Sequence, residues 1–483
     1  MNDVAILPAA PVISTVPPGR DVLRWPLLGR FLRWRWGRLA LQLLLLAAAA
    51  LMVYDGFTGP QLAPENMATV LAWVEYRGFI MLGFLLAGNL FCAACPFAML
   101  RSVAHRLSVR GPRWPMLLRN KWVSVASLVL LFWLYEWLGL WASPWLTAWV
   151  VVAYFVASFA LEAIFRESPF CKYVCPLGAF NFTYSTASPL RIQARSPEVC
   201  RTCVGKECIR GSHTVAGCGT ELYVPRIETN LDCTMCLDCV RACPYDNVAL
   251  AIHPPLRQPL EAAWPARWDT TFLIVSLSFM GLSNAFGMVP PAIALQSTLA
   301  AWGLRSSALR VLAIFLVGNV LLPALALTFG SSLSNALLRP TLRQPARAVA
   351  ARYAPAFVPM GMGVWIAHYG FHFVIGGATL LPVLQSFALD HAVTLLGASP
   401  QWNVGFLLPL PSIFPLQVIV LLAAFIASLA VCARRALRTG LAPVDSLREL
   451  LPWAIVLTLI TIAALSVFNL PMQMRGTFLA TPR

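Results

Sequence analysis

The sequence predicts an all-α polytopic membrane bundle with one small, cysteine-rich α+β insert on its inner side, and three observations predict it. The composition is 59% hydrophobic and only 12% charged, with a mean hydropathy of +0.71, a balance that places the chain among membrane proteins. Apolar runs long enough to span a hydrocarbon core recur from residue 38 to residue 469. Between the fourth and fifth runs lies a polar stretch, residues 191–255, that holds eight of the thirteen cysteines.

The elements follow in order. Residues 1–37 form a basic, Pro-rich segment whose composition offers no cleavable signal peptide. A four-span membrane domain, residues 38–190, takes in the apolar runs near 38–55, 68–91, 121–141 and 145–165. The insert occupies 191–255, and the C-terminal membrane domain, 256–483, adds runs near 268–290, 309–330, 355–376, 414–433 and 450–469. That is about nine spans at the usual length for a crossing helix. Pro323 is expected to break the sixth, and a short helix along the membrane surface is expected within 378–414.

Arginine placement sets the expected orientation, because short cytoplasmic loops carry the excess of Lys and Arg. Four clusters fall on one side of a nine-span arrangement: Arg30 to Arg38, Arg101 to Lys121, Arg339 to Arg352, and Arg434 to Arg438. The N-terminus and the insert are therefore expected in the cytoplasm of a bacterial cell, the spans in its inner membrane, and the C-terminus outside. Trp133, Trp137, Trp141 and Trp145 crowd the opposite end, as an outer aromatic belt does. The net charge of +16 is this topology signal plus attraction to anionic lipid, and it gives no reason to expect nucleic acid.

The insert's chemistry is in its spacing. Cys233, Cys236, Cys239, Cys243 and Pro244 make an unbroken C-x2-C-x2-C-x3-C-P run, the pattern that holds cubane iron-sulfur clusters in bacterial-type ferredoxins. Soft thiolates suit such a cluster, whereas a zinc knuckle is built from separated ligand pairs. The last cysteine of such a run normally serves a second cluster, and a looser set stands upstream: Cys200, Cys203, Cys208 and Cys218. Exchanging last ligands gives two [4Fe-4S] sets, one of Cys200, Cys203, Cys208 and Cys243, the other of Cys233, Cys236, Cys239 and Cys218. In the bland alternative, Cys208 or Cys218 is only a loop cysteine. Lys206, Arg210 and His213 lie in the wide upstream loop, where they bear on the first cluster's potential.

Two further pairs close the second and fourth spans. Cys92 and Cys95 precede Pro96, and Cys171 and Cys175 precede Pro176, so spans one to four read as a repeated hairpin. These four thiols suit a third cluster, another soft metal such as Cu(I), or a dithiol relay; the alternative is small apolar packing at helix ends. Cys432 stands apart and reads as a buried spectator. In span seven, His368 and His372 lie one helical turn apart, with Met360 and Met362 nearer the inner end. Neutral imidazoles ligate copper and haem b, and the alternative is hydrogen bonding to neighbouring helices. No C-x-x-C-H sequence for covalent haem exists. Glu75, Arg77 and Glu136 are charged residues within spans, placed where a quinone headgroup exchanges protons, but read more simply as side chains reaching the interface.

With "CKYVCPLGAF" at Cys171 to Phe180 leading into the insert, the chain resembles the membrane polyferredoxin family of NapH-, NosR- and CcoG-type proteins over about residues 38–255. The resemblance implies a ferredoxin-like cytoplasmic insert and an electron-transfer component, on the NapH side part of a quinol dehydrogenase. Cys92 and Cys95 depart from the family pattern, with two intervening residues where three are usual. Neither Walker nor dinucleotide motifs occur, so electrons pass to or from a partner. The expected function is electron transfer between the quinone pool or a cytoplasmic donor and a respiratory redox partner. The alternatives are a copper-handling maturation factor and a transporter or signal protein that senses redox state.

Overall fold

The computed structural model describes residues 16–100, 104, 111–165, 168–402 and 406–475. The principal helices are α1 (Gly37–Thr58), α2 (Met67–Leu86), α3 (Leu90–Ala94), α4 (Trp122–Trp137), α5 (Pro144–Ile164), α6 (Pro176–Tyr184), α7 (Trp268–Phe286), α8 (Pro290–Ala301), α9 (Ser307–Leu337), α10 (Phe357–Gly376), α11 (Leu380–Asp390), α12 (Ile413–Leu437) and α13 (Pro443–Phe468). Among the described residues, seven helical stretches are long and apolar enough to cross a membrane, and the bent pair of α7 and α8 brings the number to eight. The protein is thus a multi-pass membrane protein, with fewer full-length spans than the nine expected.

The differences have local causes. Gly139, at φ +58°, takes the left-handed conformation just past α4, while Ser143 caps α5 through a 3.2 Å bond from the Leu146 N–H, with Pro144 behind it. That turn leaves α4 at 16 residues, about 24 Å of helix against a hydrocarbon core of about 30 Å. The chain turns by 86° from α7 into α8, where Pro290 and Pro291 cannot continue the preceding helix. Pro323 does not break its span. A π-turn at Val317–Leu321 precedes it, and the Asn319 carbonyl, four residues back, accepts the Ser276 hydroxyl at 2.6 Å. Within 378–414, where a separate surface helix is expected, α11 instead follows α10 after a single short turn, and the two belong to one helical stretch, Ala346–Asp390. Arg101, Arg106 and Arg110 of the second basic cluster lie outside the described residues.

Helix α10 is central. Phe357, Met360, Val364, Trp365 and His368 on it are fully buried. A Cβ at Gly361 would collide with the Tyr184 and Ser278 hydroxyls, and one at Gly363 with the Ala424 methyl, so these glycines let α10 approach α6 and α7 on one side and α12 on the other.

The only sheet among the described residues is two-stranded: β1 (Leu190–Ala194) pairs antiparallel with β2 (Val248–Ile252), Leu190 opposite Ile252. The strands bracket the cysteine-rich segment. Its core combines Ile192, Val224, Val240 and Leu250 with Val22 and Leu23 from the N-terminal segment. Asp21, 1% exposed, accepts from the Leu23 and Leu250 N–H groups and pairs with Arg195 at 2.8 Å. The N-terminal segment is therefore part of the insert's core as well as a basic leader.

Candidate functional site

Cys200 and Cys203 come from the short helix Pro197–Thr202 and its end, Cys208 from Glu207–Arg210, and Cys243 from the end of Asp238–Ala242. Asn247 ties the set together: its backbone N–H points at Cys243 Sγ (3.4 Å) and its side-chain Nδ2 at Cys200 Sγ (3.3 Å). The Lys206 N–H donates to Cys203 Sγ at 3.3 Å. Burial pushes the Cys200 thiol up, against the Asn247 bond, and Cys208, Cys243 and Cys203 add to the shift. Cys208 is raised by burial as well, with Cys243 and Cys203 acting on it. The four sulfurs are neighbours.

Cys218, Cys233, Cys236 and Cys239 line a second cavity together. Met235 and Leu237, at φ +50° and +61°, are non-glycine residues held left-handed within the C-x2-C-x2-C loop. Alternating hands turns successive backbone N–H groups inward, a concavity suited to an anion such as a thiolate-bound cluster. Cys218 joins from the upstream loop, anchored by its N–H on the Cys208 carbonyl (3.1 Å) and receiving the Leu222 N–H at Sγ (3.3 Å). Burial pushes the Cys233 thiol up to about 12, and it raises Cys239 too, where Cys236, Cys233 and Cys218 reinforce it.

Cys92, Cys95, Cys171 and Cys175 line a third cavity. Cys92 sits on α3, Cys95 at its end, Cys171 on a π-turn at Phe170–Val174, and Cys175 caps α6. The Gly178 N–H donates to Cys175 Sγ at 3.2 Å, and Asn181 Nδ2 to Cys92 Sγ at 3.3 Å. The shorter Cys92 to Cys95 spacing does not keep the pairs apart.

The three groups stand in series. Cys239 and Cys243 share the helix Asp238–Ala242 and its end, yet face different groups. Thr234 lines both the second and the third cavity. The insert is fastened over the helix ends by Asn89, whose N–H meets Met235 Sδ (3.1 Å) and whose Nδ2 donates to the Cys233 carbonyl (2.9 Å). Arg38 bridges the Ala93 carbonyl (3.2 Å) and Asp238 (2.8 Å). Among the described residues, no three His, Cys, Asp or Glu side chains converge on a point fit for one metal ion.

His368 and His372 are fully buried on α10 with ring centroids 5.2 Å apart, and both His372 nitrogens lack hydrogen-bond partners. Two rings this close on one face of one helix leave no room for a porphyrin between them. The thioether beside His368 is Met288, 3.2 Å from Nε2, in place of the Met360 and Met362 singled out in the sequence; Met360 instead accepts the Thr461 hydroxyl. Glu136 forms a two-pronged pair with Arg475 at 2.5 and 2.7 Å. Glu75 does not reach the interface; it is 4% exposed. Cys432 is fully buried and apart from the three groups. Asn89, Asn181, Asn247 and Met288 carry no signal in the sequence, because only the fold brings them to sulfur or imidazole.

The fold and the cysteine groups define a multi-pass membrane protein with three four-cysteine groups, two in the insert and one at the ends of its first helices, of which the second and third line cavities. A search of known proteins gives a relative: the chain is 29% identical over 130 residues, 26% of this chain and 33% of the relative, to "Putative electron transport protein YccM" of Escherichia coli (strain K12). The match thus spans about one third of that relative's length. No family model matches the chain, and no solved structure does.

Proposed function

We propose that this chain is an integral membrane iron-sulfur protein that passes electrons between the quinone pool or a cytoplasmic donor and a respiratory redox partner. The observation that carries the reading is the series of three four-cysteine groups leading from the insert to the helix ends. The printed description of YccM and the resemblance to membrane polyferredoxins support it. Cys200, Cys203, Cys208 and Cys243 would hold one [4Fe-4S] cluster, Cys218, Cys233, Cys236 and Cys239 a second, and Cys92, Cys95, Cys171 and Cys175 a third. When bound, such clusters supply one-electron chemistry. The chain's own part is to hold the thiolates, to tune them with the N–H groups of Asn247, Lys206, Leu222, Gly178 and Asn181, and to exclude water.

Metal analysis of anaerobically purified protein tests this. The expected result is about twelve iron and twelve acid-labile sulfide per chain, four of each per cluster. About eight of each would remove the helix-end cluster, and none would overturn the reading. The copper-handling reading has one observation in its favour, the Met288 thioether against His368 beside an unpartnered His372.

The proposed location is a bacterial inner membrane with the insert in the cytoplasm, supported by the basic clusters. A reporter active only in the cytoplasm should work when fused after Pro255 and fail at the C-terminus. Failure after Pro255 means that the orientation is reversed or that α4 does not cross, and activity at both positions means that a helix after the insert, such as the bent α7, does not cross.

A further inference from the structure

Outside the cysteine groups a cavity of about 310 Å³ opens between α1, α2 and α5, walled almost entirely by apolar side chains. Its polar groups are few and their state is unusual. Glu75 is 4% exposed, and its Oε1 has no hydrogen-bond partner. The hydroxyls of Tyr76 and Tyr154, which also line the cavity, have none either. A buried carboxyl and two buried hydroxyls without partners cost free energy that a membrane helix does not bear without a return. The carboxyl is placed there by a π-turn at Leu71–Glu75, an irregularity frequent at functional sites.

The position of the cavity is as telling as its lining. Phe91, Phe97 and Leu177 form walls of both this cavity and the one holding Cys92, Cys95, Cys171 and Cys175. Phe79, which also lines the cavity, is 58% exposed on the outer surface of the helix bundle. An occupant entering from the bilayer would thus lie one side-chain layer from the helix-end thiols.

We infer that this cavity is the binding site for the ring of a lipid-soluble quinone, oriented by Glu75, Tyr76 and Tyr154. The apolar walls fit the ring and the start of its tail, and the three unpartnered groups match its two oxygens. The tyrosine hydroxyls donate to the carbonyls of the oxidised form, and the Glu75 carboxylate accepts a hydroxyl of the reduced form. The inference rests on the electron-transfer reading for its purpose, but not for its test.

The test measures binding of decylubiquinone to detergent-purified full-length protein through quenching of tryptophan emission, Trp73 being part of the wall. Saturable quenching is expected in wild type. Ala48→Phe, which fills the cavity from α1, should weaken binding at least about tenfold, and Tyr154→Phe about fivefold, the loss of one neutral hydrogen bond. Glu75→Gln should change affinity for the oxidised form by less than about threefold while weakening that for decylubiquinol about tenfold or more, as loss of a hydrogen bond to a charged group does. Equal binding by wild type and Ala48→Phe overturns the assignment, as does a co-purified phospholipid acyl chain that decylubiquinone does not displace. Should Ala48→Phe misfold, the Glu75→Gln comparison decides alone, and equal affinities of that variant and wild type for decylubiquinol overturn it. Protein without iron that still binds decylubiquinone would fail the electron-transfer reading and leave this one standing.

Discussion

Cys239→Ser abolishes one cluster's paramagnetic signal in the dithionite-reduced protein, and Cys203→Ser abolishes a different one. The expectation follows from which thiols bear on which. Cys239 feels Cys236, Cys233 and Cys218, whereas Cys208 feels Cys243 and Cys203. An alkoxide is a harder ligand than a thiolate and binds a soft iron-sulfur centre poorly, so the effect is loss of a signal and not a shift. The sharper form uses the residues that cross between sequence halves. Cys218→Ser should behave like Cys239→Ser although it lies in the upstream set, and Cys243→Ser like Cys203→Ser although it closes the downstream run. Loss of one and the same signal by Cys203→Ser and Cys239→Ser, with another left intact, would sink the crossed grouping.

The nearness of Cys233, Cys236 and Cys239 was legible because cysteine spacing is local: three thiols on one tight loop need no knowledge of the rest of the fold. The helix-end pairs were half legible. Each Cys-Pro motif is visible alone, but their convergence depends on α3 and the π-turn at Phe170–Val174 meeting beneath Thr234, a matter of tertiary packing. Apolar length showed the membrane character and overcounted full crossings, because hydropathy does not register the left-handed Gly139 that stops α4 or the turn into Pro290. Pro323 looked like a break because a sequence does not reveal that a π-turn and the Ser276 hydroxyl will satisfy the freed carbonyl. Glu75 looked like an interfacial side chain for the same reason. Its depth is set by a π-turn that no periodicity announces.

The N-terminal segment was the least legible, and it carries the second large effect: Asp21→Ala should destabilise the insert by about 3 kcal/mol, the lower end of what removing one partner of a buried ion pair costs. Asp21 is 1% exposed and holds three things at once: the Leu23 N–H (3.1 Å), the Leu250 N–H (3.3 Å) and the Arg195 guanidinium (2.8 Å). Alanine removes the acceptor for both backbone donors and the buried half of Arg195's pairing, although Asp246 remains on that guanidinium's outer side at 2.9 Å. The neighbouring Arg24 also pairs with Asp21, but at 3.8 Å and with its own side chain 44% exposed. An exposed partner of that kind contributes at most about 1 kcal/mol and usually less. Urea-driven loss of visible cluster absorbance reads the difference. With a denaturant slope of about 1 to 3 kcal/mol per molar, Asp21→Ala should lower the midpoint by about 1 to 3 M, and Arg24→Ala by a small fraction of that. Equal midpoints for the two variants would mean that the leader merely rests on β2. A selective loss means that residues far upstream of the first cysteine help hold the cysteine-rich insert shut, Asp21 anchoring the segment whose Val22 and Leu23 enter its core.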